Sequence, residues 1–121
     1  MIVASKKFTD FRVWQESHSL SLEMYRLTKD FPRDEVYALS RQLRRAGVSV
    51  SSNIAEGFNH FSKKEKIQFY SVSLGSVSEI HSQLMLARDL QYISEAHFNR
   101  LETSIELIHK GLVALIKSIR A

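Results

Sequence analysis

The sequence predicts an all-α fold, an antiparallel up-down-up-down four-helix bundle, and three observations predict it. Near the C-terminus Phe98, Leu101, Ile105, Ile108, Leu112, Leu115 and Ile119 alternate spacings of three and four, the pattern of a helix packed along one stripe. Four such periodic segments, each about 20 residues or longer, are joined by short connections, which favours antiparallel neighbours. No stretch reads as a strand.

Over residues 10–30 the apolar positions Trp14, Leu20, Tyr25, Leu27 and Phe31 recur near helical spacing. Asp10 is placed to cap this first helix, and Phe31-Pro32 stops it because the proline ring disfavours a helical residue before it. Pro32 to Glu35 then supplies a tight turn and an acidic first turn for a second helix over 34–57, with Gly57 as its terminator. Leu39, Leu43, Ala46 and Val50 form its apolar stripe, which Asn53 continues.

Phe58 to Phe61 forms the next connection, and Ser62-Lys63-Lys64-Glu65 fits an S-x-x-E capping box at the start of a third helix over 63–90. Its seam reads Ile67, Tyr70, Leu74, Val77, His81 and Leu84, while Phe69, Val72, Ile80 and Leu86 lie off it. A monomeric bundle covers one broad stripe per helix, so Phe69, Val72 and Ile80 are assigned to an oligomer interface. Gln91-Tyr92-Ile93 breaks the pattern, and Ser94 caps a fourth helix over 95–119. Residues 1–9, with Lys6 and Lys7, read as a basic lead-in of the kind that is mobile, and residues 10–121 as one domain.

The 121 residues carry a net charge of +4 and an isoelectric point near 9.5, a balance compatible with RNA or DNA but common among other domains. Cysteine is absent, which excludes disulfides and thiolate metal sites and suits the cytoplasm, the expected location. No apolar run reaches the roughly 18 residues of a membrane span, and Met1–Lys7 has no apolar stretch of signal-peptide length, so no membrane association is expected.

Catalytic and metal chemistry find few handholds. A carboxylate-bridged iron site needs two Glu-x-x-His pairs and two further inward glutamates, whereas the chain offers only Glu106-x-x-His109, on the flank of its helix. His81 sits on a seam, where a hydrogen-bonded core or interface histidine is the simpler reading. The serines lack a G-x-S-x-G elbow, and no glycine-rich loop follows a strand. No enzyme activity, cofactor or metal is expected. Glu56 and Glu79, near Asn53, Ser76 and the arginines, fit a structural polar network better than an acid–base pair.

The nucleic-acid candidates are Arg41, Arg44 and Arg45 in the second helix, Lys63 and Lys64 (with Lys66) in the third, and Lys6 and Lys7. The bland alternative is a solvated charged face. With no helix-turn-helix, zinc finger or stacking sheet, binding would run through phosphates with little sequence preference. One of Arg44 and Arg45 is expected to be tied to Glu56 or Glu79 inside the bundle.

The run Gln42–Gly57, QLRRAGVSVSSNIAEG, anchors a resemblance. With Phe11–Gln15, Tyr25–Pro32 and Leu74–Glu79 in the same order, it resembles the 23S rRNA-intervening-sequence proteins, whose pattern there is Q-I-R-R-A-x-x-S-I-x-x-N-I-A-E-G. Gly47 stands where Ala is usual, at about 1 kcal/mol in helix propensity, and His60 where a basic residue often follows. The resemblance implies a four-helix bundle that assembles as a homopentamer. Relatives of the family include accessory proteins of diversity-generating retroelements, which resemble basic pentameric barrels engaging nucleic acid and a reverse transcriptase. Arg44 or Arg45, Asn53, Glu56, Ser76 and Glu79 match the family's signature polar positions. The expectation is a non-enzymatic, self-assembling bundle that binds RNA or DNA, the alternative a protein-interaction scaffold without physiological nucleic-acid binding.

Overall fold

A computed structural model describes residues 7–121 and contains four helices: α1 (Arg12–Thr28), α2 (Leu39–Asn59), α3 (Lys63–Asp89) and α4 (Glu95–Arg120). Single 3-10 turns, Phe8–Asp10 and Arg33–Glu35, precede α1 and α2, and the described residues contain no strand. Residues 1–6 of the expected lead-in lie outside the described residues.

Side-chain pairings fix the direction of each helix. Between α2 and α3, Gln42 meets Gln83, Ser49 meets Ser76, and Val50 meets Ser73, so one number falls as the other rises. Phe11 packs on Phe58 while Arg44 reaches Thr28, which makes α1 and α2 antiparallel. His81 bonds Glu102 while Arg88 lies over Phe98, and α3 and α4 follow suit. Val13 abuts Gly111, whereas Leu20 shares a groove with Leu101 and Ser104, closing α1 on α4. Neighbouring helices approach closely around a square, and the backbones of the diagonal pairs stay apart across the core.

The core fills the axis of this square. Leu20, Met24, Leu43, Val50, Ile54, Val77, Leu84, Phe98, Ile105, Ile108 and Leu112 are all buried. The predicted seam of α4 holds through Leu112, after which Ile116 takes the inward place and Leu115 and Ile119 are half-buried. The cause is geometric: a helix of 3.6 residues per turn drifts from a strict 3.5-residue repeat. Leu74 of the predicted α3 seam is likewise half-buried.

Three expected boundaries are corrected. Asp10 belongs to the first 3-10 turn, its carboxylate accepting from the Lys7 N–H at 2.9 Å, and Phe11 holds the cap position of α1. The helix expected from residue 34 begins at Leu39. The backbone leaves helical geometry at Ala38 (φ −122°, ψ −107°), and the Glu35 carboxylate spans the break, accepting from the Tyr92 hydroxyl at 2.7 Å and from the Leu39 N–H at 3.4 Å. Gly57 does not end α2, which runs on to Asn59. It is buried where a Cβ would stand 2.6 Å from the Tyr70 ring, so its role is close approach of α2 to α3.

The α3–α4 connection is a Schellman turn. Gln91 donates to the Arg88 carbonyl and Tyr92 to the Ala87 carbonyl, with Gln91 at φ 65°, the one described non-glycine residue of positive φ. Ser62 caps α3 by accepting from Glu65 N–H, and Ser94 caps α4 by accepting from His97 N–H. α1 and α4 make the loosest seam, with an open groove of about 300 Å³ along Leu20, Glu23, Arg100, Ser104 and Leu107.

Candidate nucleic-acid interface

The antiparallel pairing separates the cations that the sequence reading gathered into one footprint. Arg41, Arg44 and Arg45 stand in the first two turns of α2, whereas Lys63 and Lys64 open α3 at the other end. At 1.5 Å per residue the two groups are roughly 20–30 Å apart along the axis.

The arginines also differ among themselves. Arg44 donates from Nε to the Thr28 hydroxyl at 2.8 Å, reaches the Tyr25 carbonyl at 3.4 Å, and lies 4.9 Å from the Tyr25 ring centroid. It therefore clamps the C-terminal turn of α1, where a cation favours the exposed carbonyls. Its partners are Thr28 and Tyr25, not Glu56 or Glu79 as expected. Arg41 and Arg45 are exposed.

Arg45 borders a crevice between α2 and α3 with Gln42, Ser49, Ser76 and Glu79. Ser76 donates to Ser49 Oγ at 2.8 Å, and Asn53 Nδ2 donates to the Ser49 carbonyl at 2.8 Å and its hydroxyl at 3.1 Å. Gln83 Nε2 bridges Gln42 at 3.0 Å and Glu79 at 3.2 Å. Three of the four predicted network residues, Asn53, Ser76 and Glu79, are thus brought into two short hydrogen-bond chains. Glu56 is not: it is exposed, three turns along α2 from the Glu79 level, and makes no hydrogen bond or ion pair among the described residues. The two carboxylates, roughly 15 Å apart along the axis, do not form an acid–base pair. Ser49, the hub, was not singled out for this role, although its i, i+4 relation to Asn53 was available in the sequence.

The expected oligomer residues also divide. Ile80 is fully buried inside its own bundle, so it faces no partner. Phe69 is half-buried beneath the His60 ring, 4.7 Å between centroids, and Val72 is 48% exposed. Leu86 near the end of α3 and Leu90 just beyond it add exposed apolar surface. The seam residue His81 meets Glu102 at 2.8 Å, and Glu106 and His109 are exposed. No three His, Asp or Glu side chains among the described residues converge as a metal site.

Charge is uneven along the axis. If each helix is cut near its middle, the half comprising residues 7–18, 51–75 and 108–121 holds eight Lys or Arg against four Asp or Glu. The other half holds eight against nine. The positive excess of the described chain therefore sits at the end formed by the α2–α3 turn, the start of α1 and the finish of α4. Lys63, Lys64, Lys117 and Arg120 are exposed there and have no ion-pair partner among the described residues. Lys66 is used internally, donating to the Gly57 and Phe58 carbonyls at 3.0 and 2.9 Å.

Fold and site together define a four-helix bundle with one basic end and a hydrogen-bonded crevice between α2 and α3. The sequence model of the 23S rRNA-intervening sequence protein family matches residues 9–114, and the chain belongs to that family. The crystal structure of a protein of unknown function from the S23 ribosomal protein family of Bacteroides thetaiotaomicron VPI-5482 has the same fold, with a TM-score of 0.80. It is 24% identical over an alignment covering 87% of this chain and 95% of that one. No curated protein matches significantly. No helix among the described residues is long and apolar enough to cross a membrane.

Proposed function

We propose that this chain is a non-enzymatic, self-assembling protein of the cytoplasm that binds RNA or DNA through phosphates at the basic end of its bundle. The observation that carries the reading is the concentration at that end of cations without an ion-pair partner among the described residues, Lys63 and Lys64 among them. Lysines and arginines that neutralise phosphates release counterions, so affinity falls steeply with salt and depends little on base sequence. Assembly into a ring of five, the state the family resemblance implies, would set several such ends on one strand and raise a weak affinity by multivalency. Arg41 and Arg45 serve as a secondary cationic patch at the opposite end, and Arg44 serves the fold.

An electrophoretic mobility titration at two salt concentrations tests the reading, beside a light-scattering mass. The expected result is a strong salt dependence that weakens by about one unit of slope per contact removed from each bound subunit in Lys63→Glu with Lys64→Glu. A folded double variant with unchanged affinity for RNA and DNA at low salt overturns it. The scaffold reading then leads, and the exposed Val72 and Leu86 of α3, with Leu90 just after it, favour that reading as sites of protein contact.

A further inference from the structure

We infer that Phe61 is a stacking platform for an unpaired base, which makes the basic end selective for single-stranded over double-stranded nucleic acid. The inference rests on the reading above and names the class of strand that the same end receives.

The α2–α3 turn is built so that almost everything in it has an internal partner. Lys66 ties down the last carbonyls of α2 and lies 5.8 Å from the centre of the Phe58 ring, which itself packs edge-on against Phe11. His60 is held between the Glu65 carboxylate at 3.0 Å and the Phe69 ring. Ser62 caps α3. The turn is thereby pinned from both helices. What remains outward without a partner are Asn59, Lys63, Lys64 and Phe61, the last fully exposed at 100%.

A ring that touches nothing in its own chain gains nothing from being aromatic there, whereas bases stack on such rings whatever their identity. Flanking lysines supply the phosphate contacts that hold a strand over the ring, and the neighbouring Glu65 is engaged by His60. Bases inside a duplex are already stacked on one another and offer no free face, so the ring discriminates by strandedness. Tyr37 is the contrasting case. It is 86% exposed at the opposite end, where Lys and Arg do not outnumber Asp and Glu, and no lysine pair lies beside it as Lys63 and Lys64 lie beside Phe61. A lipid surface is the less suitable partner, because interfacial binding uses the broad apolar face of an amphipathic helix and this turn offers a single apolar group between polar ones.

The test uses the full chain, an unstructured oligo-U strand, an RNA duplex of equal length, and vesicles rich in phosphatidylserine. Phe61→Ala, confirmed as folded by circular dichroism, should weaken oligo-U binding about tenfold while leaving the salt slope and the duplex affinity unchanged. Phe61→Trp should retain the affinity and show tryptophan quenching on oligo-U beyond that of the parent chain's Trp14, and Tyr37→Ala should change nothing. Unchanged oligo-U binding in Phe61→Ala, with a loss in Lys63→Glu/Lys64→Glu, overturns the stacking inference and leaves the phosphate reading standing. If neither variant loses affinity, both fall. Equal losses on strand and duplex, or a loss confined to vesicles, also overturn it.

Discussion

Gly57 of α2 lies against the ring of Tyr70 of α3 so closely that a methyl group on it would stand 2.6 Å from Cε1 and 3.0 Å from Cδ1. Tyr70 is 1% exposed, so its ring is held by the core and has nowhere to retreat. Gly57→Ala should therefore destabilise the bundle by about 1–3 kcal/mol, overpacking outweighing the gain in helix propensity. At Gly75, also within a helix, a Cβ would meet nothing within 4 Å. Gly75→Ala should instead stabilise by about 0.5–1 kcal/mol. Urea denaturation of the two variants measures both, and equal effects would show that the close contact does not govern Gly57.

Gln91 occupies the left-handed position of the turn after α3 at φ 65°, where a side chain is strained and glycine is not. Gln91→Gly should raise stability by about 1 kcal/mol despite the added freedom of the unfolded chain. A lower thermal midpoint would contradict this account of the turn.

Arg44 and Arg45 are adjacent yet should behave differently. Arg44→Met removes the bond to Thr28 and the contact over Tyr25, and should cost about 1–3 kcal/mol. Arg45→Ala, at an exposed position, should stay within about 0.5 kcal/mol. Chemical denaturation separates them, and a stability loss at Arg45 as large as that at Arg44 would reverse the assignment.

Two tyrosines make the fold sensitive to alkali. Tyr92 is held above its ordinary 10.0 first by its hydrogen bond to Glu35, then by desolvation and the charges of Glu35 and Asp34, while burial raises Tyr70. The folded state keeps both phenols neutral where the unfolded chain begins to ionise them. The stability they contribute is therefore complete below about pH 10 and lost as pH rises through the folded values. Tyr92→Phe should lower stability at neutral pH and flatten the decline above pH 10, read from unfolding midpoints across that range.

Most of the fold was legible because helical periodicity, caps and breakers are local signals. The Ser94 cap and the seam from Phe98 to Leu112 carry into the structure unchanged, whereas only the serine half of the expected Ser62–Glu65 capping box forms, the Glu65 carboxylate turning to His60 instead. The misreadings came where a distant residue decides. Glu35 looks like the first turn of a helix until Tyr92 claims it, and Gly57 looks like a stop until the Tyr70 ring arrives against it. Ile80 lies off the spacing of the chosen seam, yet α3 is wrapped by both α2 and α4 and its inward arc is wide enough to bury it. The polar crevice was half legible: Asn53 and Ser76 stood out by type, whereas Ser49 becomes a hub only across the α2–α3 seam. The charge segregation was readable only after the helices were placed on a common axis.

The looseness of the α1–α4 seam bears on how the bundle is made and unmade. Three sides of the square join helices consecutive in the chain, but the fourth joins segments from its two ends, and closing it costs the loop entropy of everything between. The α2–α3 hairpin should form early and the circuit shut last, so native-state hydrogen exchange should find α2 and α3 better protected than α1 and α4. Uniform protection across all four helices would refute that order. A bundle that opens along this side exposes Leu20 and Leu101 together, and the matching helix of a second copy fits the vacated place as well as its own. Exchange of α1 or α4 between copies is then the characteristic misassembly of the fold, favoured by anything that lengthens the life of the open circuit.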